Sequence, residues 1–130
     1  MIYLFLLGRI LVGGYFIMSG YNHFKNRGML SGYAESKGVP MASFSVWLSG
    51  AMMLLGGLGV LLGVYVTYSI YLLVIFLLVA ALKIHQFWKI SDPGARMTEE
   101  INFKKNLALL GALLMLLAIQ LPWELTFSLF

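Results

Sequence analysis

The residues best equipped for chemistry close the longest apolar run of the chain, in Lys83-Ile-His-Gln-Phe-Trp-Lys89. Two cations, an imidazole, an amide and two aromatic rings lie there within two helical turns. At about 100° per residue, His85, Trp88 and Lys89 share one face, and Lys83, Gln86 and Phe87 share another. Two other apolar stretches have polar pairs near their ends, Asn22 with His23 and Lys105 with Asn106. A quinone head group needs donors near its carbonyls, aromatic walls and a path from lipid. His85, Lys105, Asn106 and Trp88 could supply these. The plainer reading is that the same groups cap helices and bind lipid phosphate, as Lys and Trp do at membrane interfaces.

Other chemistries fit less well. His23 and His85 are the only histidines, and two histidines on different helices are able to ligate a haem b. Their placement permits haem, but nothing around them demands it. Without acidic or thiolate companions they make a poor metal site, so no metal is expected. No Ser-His-Asp arrangement can be assembled. The glycines fall inside helices, which leaves no phosphate-binding loop. Cysteine is absent, excluding disulfides, thiol redox chemistry, iron–sulfur clusters and covalent haem attachment.

Composition says what must position these residues. Of the 130 residues 61% are hydrophobic and only 11% are charged, against about 25% charged in a soluble domain. Lys37 and Lys83 bracket about 45 residues without a charge, enough for two membrane spans and a tight turn. The expected fold is all-α: one antiparallel bundle of four transmembrane helices, with spans at about 3–24, 42–62, 66–88 and 98–121. Arg9 lies inside the first apolar run and no small-residue cleavage site follows, so that run reads as an uncleaved span.

The faces of these helices carry a pattern. Arg9, Gly13, Phe16, Gly20 and His23 recur at spacings of 3 and 4, as do Ser49, Met53, Gly56, Val60 and Gly63. Small or polar faces of this kind turn toward other helices in a membrane. On the fourth span, Lys104, Lys105, Ala108, Gly111, Ala112 and Met115 make a similar face, also expected inward. Leu30 to Ser36 reads as a short interfacial helix, ended by Gly38 and Pro40. Ser91-Asp-Pro-Gly94 reads as a turn, with Thr98 capping the last helix and Glu100 paired to Lys104.

The charged loops carry Lys25, Arg27, Lys37, Lys89 and Arg96. The positive-inside rule puts them in the cytoplasm and both termini outside, in a bacterial inner membrane. Basic loops beside spans report orientation, so nucleic acid is not an expected partner. Arg9 is the one intramembrane charge. It is expected to turn inward and find Tyr68, Tyr71, Gln120 or Glu124. At the cytoplasmic end, Asn22, His23, His85, Gln86, Lys105 and Asn106 are expected to gather, with His85 bonded inside that group.

These stretches resemble the DoxX family of small four-helix membrane proteins. Leu7-Gly-Arg-Ile-Leu-Val-Gly13 and Ser19-Gly-Tyr-Asn-His23 are similar to the family's L-G-R-x-L-x-G and S-G-x-x-K. Ser36-Lys-Gly-Val-Pro40 is similar to S-K-G-V-P, and Leu54-Leu-Gly-Gly57 with Gly63 to its second helix. His85-Gln-Phe-Trp88 resembles H-D-F-W, and Phe103-Lys-Lys-Asn-Leu-Ala-Leu-Leu-Gly111 resembles F-x-K-N-L-A-L-x-G. The chain departs from the pattern at three places. His23 replaces a Lys, Gln86 an Asp, and Met53 a frequent Glu, so the expected cluster is net basic.

The resemblance implies a link to membrane oxidoreductases, including a quinone-linked thiosulfate oxidoreductase, and for distant relatives a role in assembly or trafficking. The resulting expectation is an accessory subunit of a larger membrane complex connected with an oxidoreductase, not catalytic alone. Its partners would be the lipid bilayer and other membrane subunits or copies of itself. The alternatives are a redox subunit that itself binds quinone, and a small transporter.

Overall fold

The first apolar run forms α1, Ile2–Lys25, and the computed structural model describes the chain from residue 1 to residue 127. After Asn26 comes α2, Arg27–Ser36, longer at its start than the sequence pattern suggests. It ends as expected around Gly38, whose φ of 77° is left-handed. Gly38 N–H donates to Glu35 O and Val39 N–H to Ala34 O, at 2.9 and 3.1 Å. This double bond set satisfies carbonyls that the last helical turn leaves open.

The second and third apolar runs form α3, Ala42–Leu62, and α4, Val66–Val79. The tight uncharged turn between them depends on Gly63, at φ 72°. Three segments are long and apolar enough to cross a membrane: Ile2–Lys25, Ala42–Leu62 and Val66–Lys89. The last helix, α5, is Pro93–Leu116.

Two expectations about α5 need correction. Its N-cap is Asp92, not Thr98. The Asp92 carboxylate accepts from Ala95 N–H at 2.9 Å, and Pro93 fills the first helical position, where a missing N–H costs nothing. What reads as a turn is therefore also a helix start, and Thr98 bonds back to Gly94 O inside the helix. The helix stops at Leu116 instead of running to Leu121. Pro122 removes one N–H and crowds the carbonyl four residues earlier, which disfavours helix well before the proline itself. The first half of α5 carries Arg96, Glu99, Glu100, Lys104 and Lys105, so α5 is not among the three apolar candidate spans.

Backbone contact between α1 and α3 organises the rest. A Cβ on Gly13 would stand 2.8 Å from Gly57 O, and one on Gly20 the same distance from Gly50 O. The reciprocal positions are equally tight, with Gly57 against Gly13 O at 2.9 Å and Gly50 against the His23 Cβ at 2.9 Å. The two glycine pairs fix an antiparallel register along which Arg9 lies level with Leu61. α4 packs on the other side of α3, and α5 on α4. Phe16, Met53, Val60, Ile70, Leu73, Leu77 and Leu113 form the buried core, with Trp123 of the C-terminal tail added at one end.

The outer face of α5 is the largest departure from expectation. Lys104, Lys105, Ala108, Gly111, Ala112 and Met115 are all exposed, and the inward residues are Asn106, Leu109, Leu110, Leu113 and Leu116. α5 leans on α4 with leucines. Gly111 faces open space, while Ala112 borders the crevice between α1 and α5.

Candidate functional site

The polar end of α4 is built by a change of helix type. From Ala80–Ile84 the chain makes a π-helical turn, and His85 N–H donates to Ala80 O at 3.1 Å. The extra residue in that turn shifts every later side chain by about a quarter turn. His85 and Gln86 then leave helical geometry, and Phe87–Lys89 form one 3-10 turn. The two helical faces expected across 83–89 therefore do not exist.

The break aims His85 at α5. Its Nδ1 lies 2.6 Å from Glu99 Oε2, with both side chains largely buried. The other carboxylate oxygen, Oε1, accepts from the Tyr33 hydroxyl of α2 at 3.0 Å. One carboxylate thus joins α2, the end of α4 and α5. Burial pushes the Glu99 carboxyl up. The hydrogen bonds from His85 and Tyr33, together with the charges of His85 and Lys37, outweigh it and hold the group below its ordinary value. An ionised carboxylate only accepts, so His85 Nδ1 carries the proton. Burial, and then the bond to Glu99, push the Tyr33 phenol up to about 12. The trio can hold a proton between an imidazole and a carboxylate, and it can latch the interfacial helix.

The other expected members do not assemble around it. His23 Nδ1 bonds Ser19 O at 2.9 Å within α1, and its ring meets Phe76 edge-on. Asn22 accepts from Asn26, one turn later in the chain. Gln86 donates to Leu82 O. Trp88 packs with Phe87 and Phe103 in an aromatic triangle with centroids 5.3 to 5.6 Å apart. Lys105 is exposed and Asn106 half-buried, and neither makes a side-chain hydrogen bond among the described residues. Only His85 bonds between segments, and its partner comes from outside the expected group. The cluster is therefore not without an acid. Glu99 reads in sequence as one of two charges suited to a helix start. Its neighbour Glu100 does pair with Lys104, at 2.8 Å, as expected. The series Glu99, Phe103, Asn106, Leu110, Leu113 carried the missed signal, since its spacing of 3 and 4 puts Glu99 on the inward face.

Arg9 occupies the opposite end and is 2% exposed. It turns inward, but its partners are main-chain carbonyls, not the side chains expected. Nε donates to Val60 O at 3.2 Å, Nη2 to Leu61 O at 2.7 Å, and Nη1 to Glu124 O and Leu125 O at 2.8 and 3.1 Å. Tyr68, Tyr71 and Gln120 are exposed. Met53 is level with Ile17 in the α1–α3 register, two turns away from Arg9. Phe5 and Trp123 stand 5.9 and 5.7 Å from the guanidinium carbon and 5.0 Å from each other. The cation ties the end of α3 to the tail after α5, and Phe127 N–H adds a bond to Leu62 O. Among the described residues no group of three or more His, Asp or Glu is placed to hold a metal.

No curated protein and no solved structure matches the chain. The DoxX family's sequence model matches residues 4–86, from the start of α1 to the residue after His85, and leaves α5 with Glu99 outside the matched part. That span is more than half of the chain, takes in all three apolar candidate spans almost completely, and includes both Arg9 and His85. This membrane protein belongs to the DoxX family.

Proposed function

We propose that the chain is an accessory subunit of a larger membrane complex, held there through α5. The apolar second half of α5 completes a fourth crossing, and the charged loops lie in the cytoplasm with both termini outside. The observation carrying this reading is the outward face of α5. Ala108 and Gly111 make it smooth, and a Cβ at Gly111 would meet nothing within 4 Å. Small residues allow membrane helices to approach closely, and leucines already serve the contact with α4. Family membership adds the expectation that the complex is an oxidoreductase.

The test uses substitutions that touch nothing inside the chain. Gly111→Leu and Ala108→Leu should leave the melting temperature of the purified protein unchanged and remove co-purifying subunits or the oligomer. Unchanged assembly would refute the reading. Orientation is checked by a reporter fused after Phe130, active only outside. Activity of a cytoplasm-only reporter there would refute it.

One observation favours a second reading, a redox subunit that meets quinone itself. The His85–Glu99–Tyr33 trio sits at the charged end, where a quinone exchanging protons would need such groups. Glu99→Gln and His85→Gln separate the readings. Loss of quinone-linked turnover in a fully assembled complex supports the redox role. Loss of the subunit from the complex supports the scaffold.

A further inference from the structure

One stripe of α5 faces outward along almost the whole helix. Met97, Ile101, Lys104, Ala108, Gly111 and Met115 recur at alternating spacings of 4 and 3. At about 100° per residue they fall within about 80° of one another. The stripe lies opposite the inward series of Glu99, Asn106, Leu110 and Leu113, and extends about 27 Å at 1.5 Å per residue. All six residues are exposed, Met97, Ile101 and Met115 by at least half. This is the seam spacing of a left-handed coiled coil. Ala108 and Gly111 in its middle let a second backbone come close.

The charges beside the seam name its occupant. Glu100 flanks it on one side and Lys105 on the other, five residues apart. That is the offset at which flanking residues of two parallel helices meet across such a seam. Both charges have capacity to spare. Among the described residues the ion pairs are His85–Glu99 and Lys104–Glu100, so Lys105 has none. Lys104 takes only Oε1 of Glu100, which leaves Oε2 for a further donor. Copies inserted in the same sense run parallel at a twofold contact, so residues of equal depth lie side by side. Glu100 of each copy then meets Lys105 of the other, and the symmetry makes the pair twice. A foreign helix would have to bring both charges at the same offset. Lys104 is the one charge on the seam itself, with its ammonium held by Glu100 at 2.8 Å. A single polar seam position of this kind costs a coiled coil some stability and fixes its register.

We infer that α5 pairs in parallel with α5 of a second copy of this chain, through the Met97–Met115 seam and two reciprocal ion pairs between Glu100 and Lys105. The inference rests on the reading of α5 as the assembly face and names the partner on it. The substitutions that test it leave the fold of each copy alone, because Lys105 makes no side-chain hydrogen bond and Glu100 pairs only with Lys104 one turn on, among the described residues.

Cysteine is absent, so Gly111→Cys supplies the only thiol, at a place where a Cβ meets nothing within 4 Å. Oxidation in native membranes should link it into a dimer. Leu11→Cys, exposed on α1, should stay monomeric under the same treatment. The ion pairs are tested by exchange of charge. Glu100→Lys and Lys105→Glu should each weaken self-association about tenfold, read as energy transfer between labelled copies in detergent, because attraction becomes repulsion at two places. An equal mixture of the two variants should recover the wild-type signal, since every pair across the seam is again of opposite charge. No disulfide from Gly111→Cys, equal disulfide at both positions, or a mixture no better than either variant alone would each overturn the proposal. Gly111→Leu separates it from the reading it rests on. If that variant sheds foreign subunits while Gly111→Cys forms no dimer, the second copy alone is refuted. If it keeps every subunit and the dimer, both fall.

Discussion

The two ends of this bundle hold their charges by opposite means. At one end Arg9 is fixed by four main-chain carbonyls, a set of partners that carries no ionisable group. At the other, the ionisable group is Glu99 itself, fixed by the side chains of His85 and Tyr33. The first arrangement is a clamp whose strength does not change with pH. The second is a latch whose strength does. The contrast teaches that a cation inside a membrane protein needs no acidic residue when helix ends and a tail can offer carbonyls, which are otherwise left without partners.

The largest effect should come from breaking the clamp. Arg9→Leu removes an expensive charge from the membrane but strands buried carbonyls at about 1–3 kcal/mol each. A net loss on the order of 3 kcal/mol or more is expected, read as a large fall in melting temperature in detergent and as release of the tail to proteolysis. Arg9→Lys keeps the charge but has a single nitrogen, so it should recover only part of the loss. Wild-type melting in Arg9→Leu would dissolve the distinction between the ends.

The latch should cost less. Glu99→Gln leaves a neutral acceptor in place of a charged one, and about 1–2 kcal/mol is expected. Tyr33→Phe removes one hydrogen bond at a half-exposed site, for about 0.5–1 kcal/mol after solvent screening. A Glu99→Gln variant as unstable as Arg9→Leu would make the two ends equivalent.

Titration sharpens the comparison further. Glu99 sits below its ordinary value in the folded chain, so its contribution is present above the carboxylate range and is lost as pH falls through the folded value. Tyr33 is raised to about 12, so its contribution is complete below its ordinary value near 10 and is lost as pH climbs toward 12. Wild type should lose stability at both extremes, and Glu99→Gln should lose less than wild type on acidification. An identical acid response in the two would show that the latch does not carry it. The smallest change is expected from Glu100→Gln, since that carboxylate pairs with Lys104 on the solvated side of α5. No measurable shift in melting temperature should follow.

Much of this architecture can be read along the chain. The inward face of α1 is Arg9, Gly13, Phe16 and Gly20, as the spacing of small and polar residues implies. Met53, Gly56 and Val60 do face inward on α3, although Gly50 and Gly57 make the backbone contacts that Ser49 and Gly63 were expected to share. The inward turn of Arg9 is legible because an unpaired guanidinium in lipid is costly. Its carbonyl partners are not, because every residue has a carbonyl and only the fold decides which four converge.

The sequence by itself determined the order of the apolar helices, the tight turn at Gly63, the inward face of α1 and the uneven distribution of charge. Those depend on local composition and on chemistry that a bilayer imposes on any chain. Tertiary structure alone decided which face of α5 turns inward and which acid meets His85. In a membrane the outside is as apolar as the inside, so hydrophobic spacing does not say which side of a helix is buried. α5 carries leucines on one face and small residues on the other, and only its packing against α4 chooses between them. The π turn at Ala80–Ile84 then redirects His85 by one added residue, so a straight-helix reading aims it wrongly and hides its bond to Glu99.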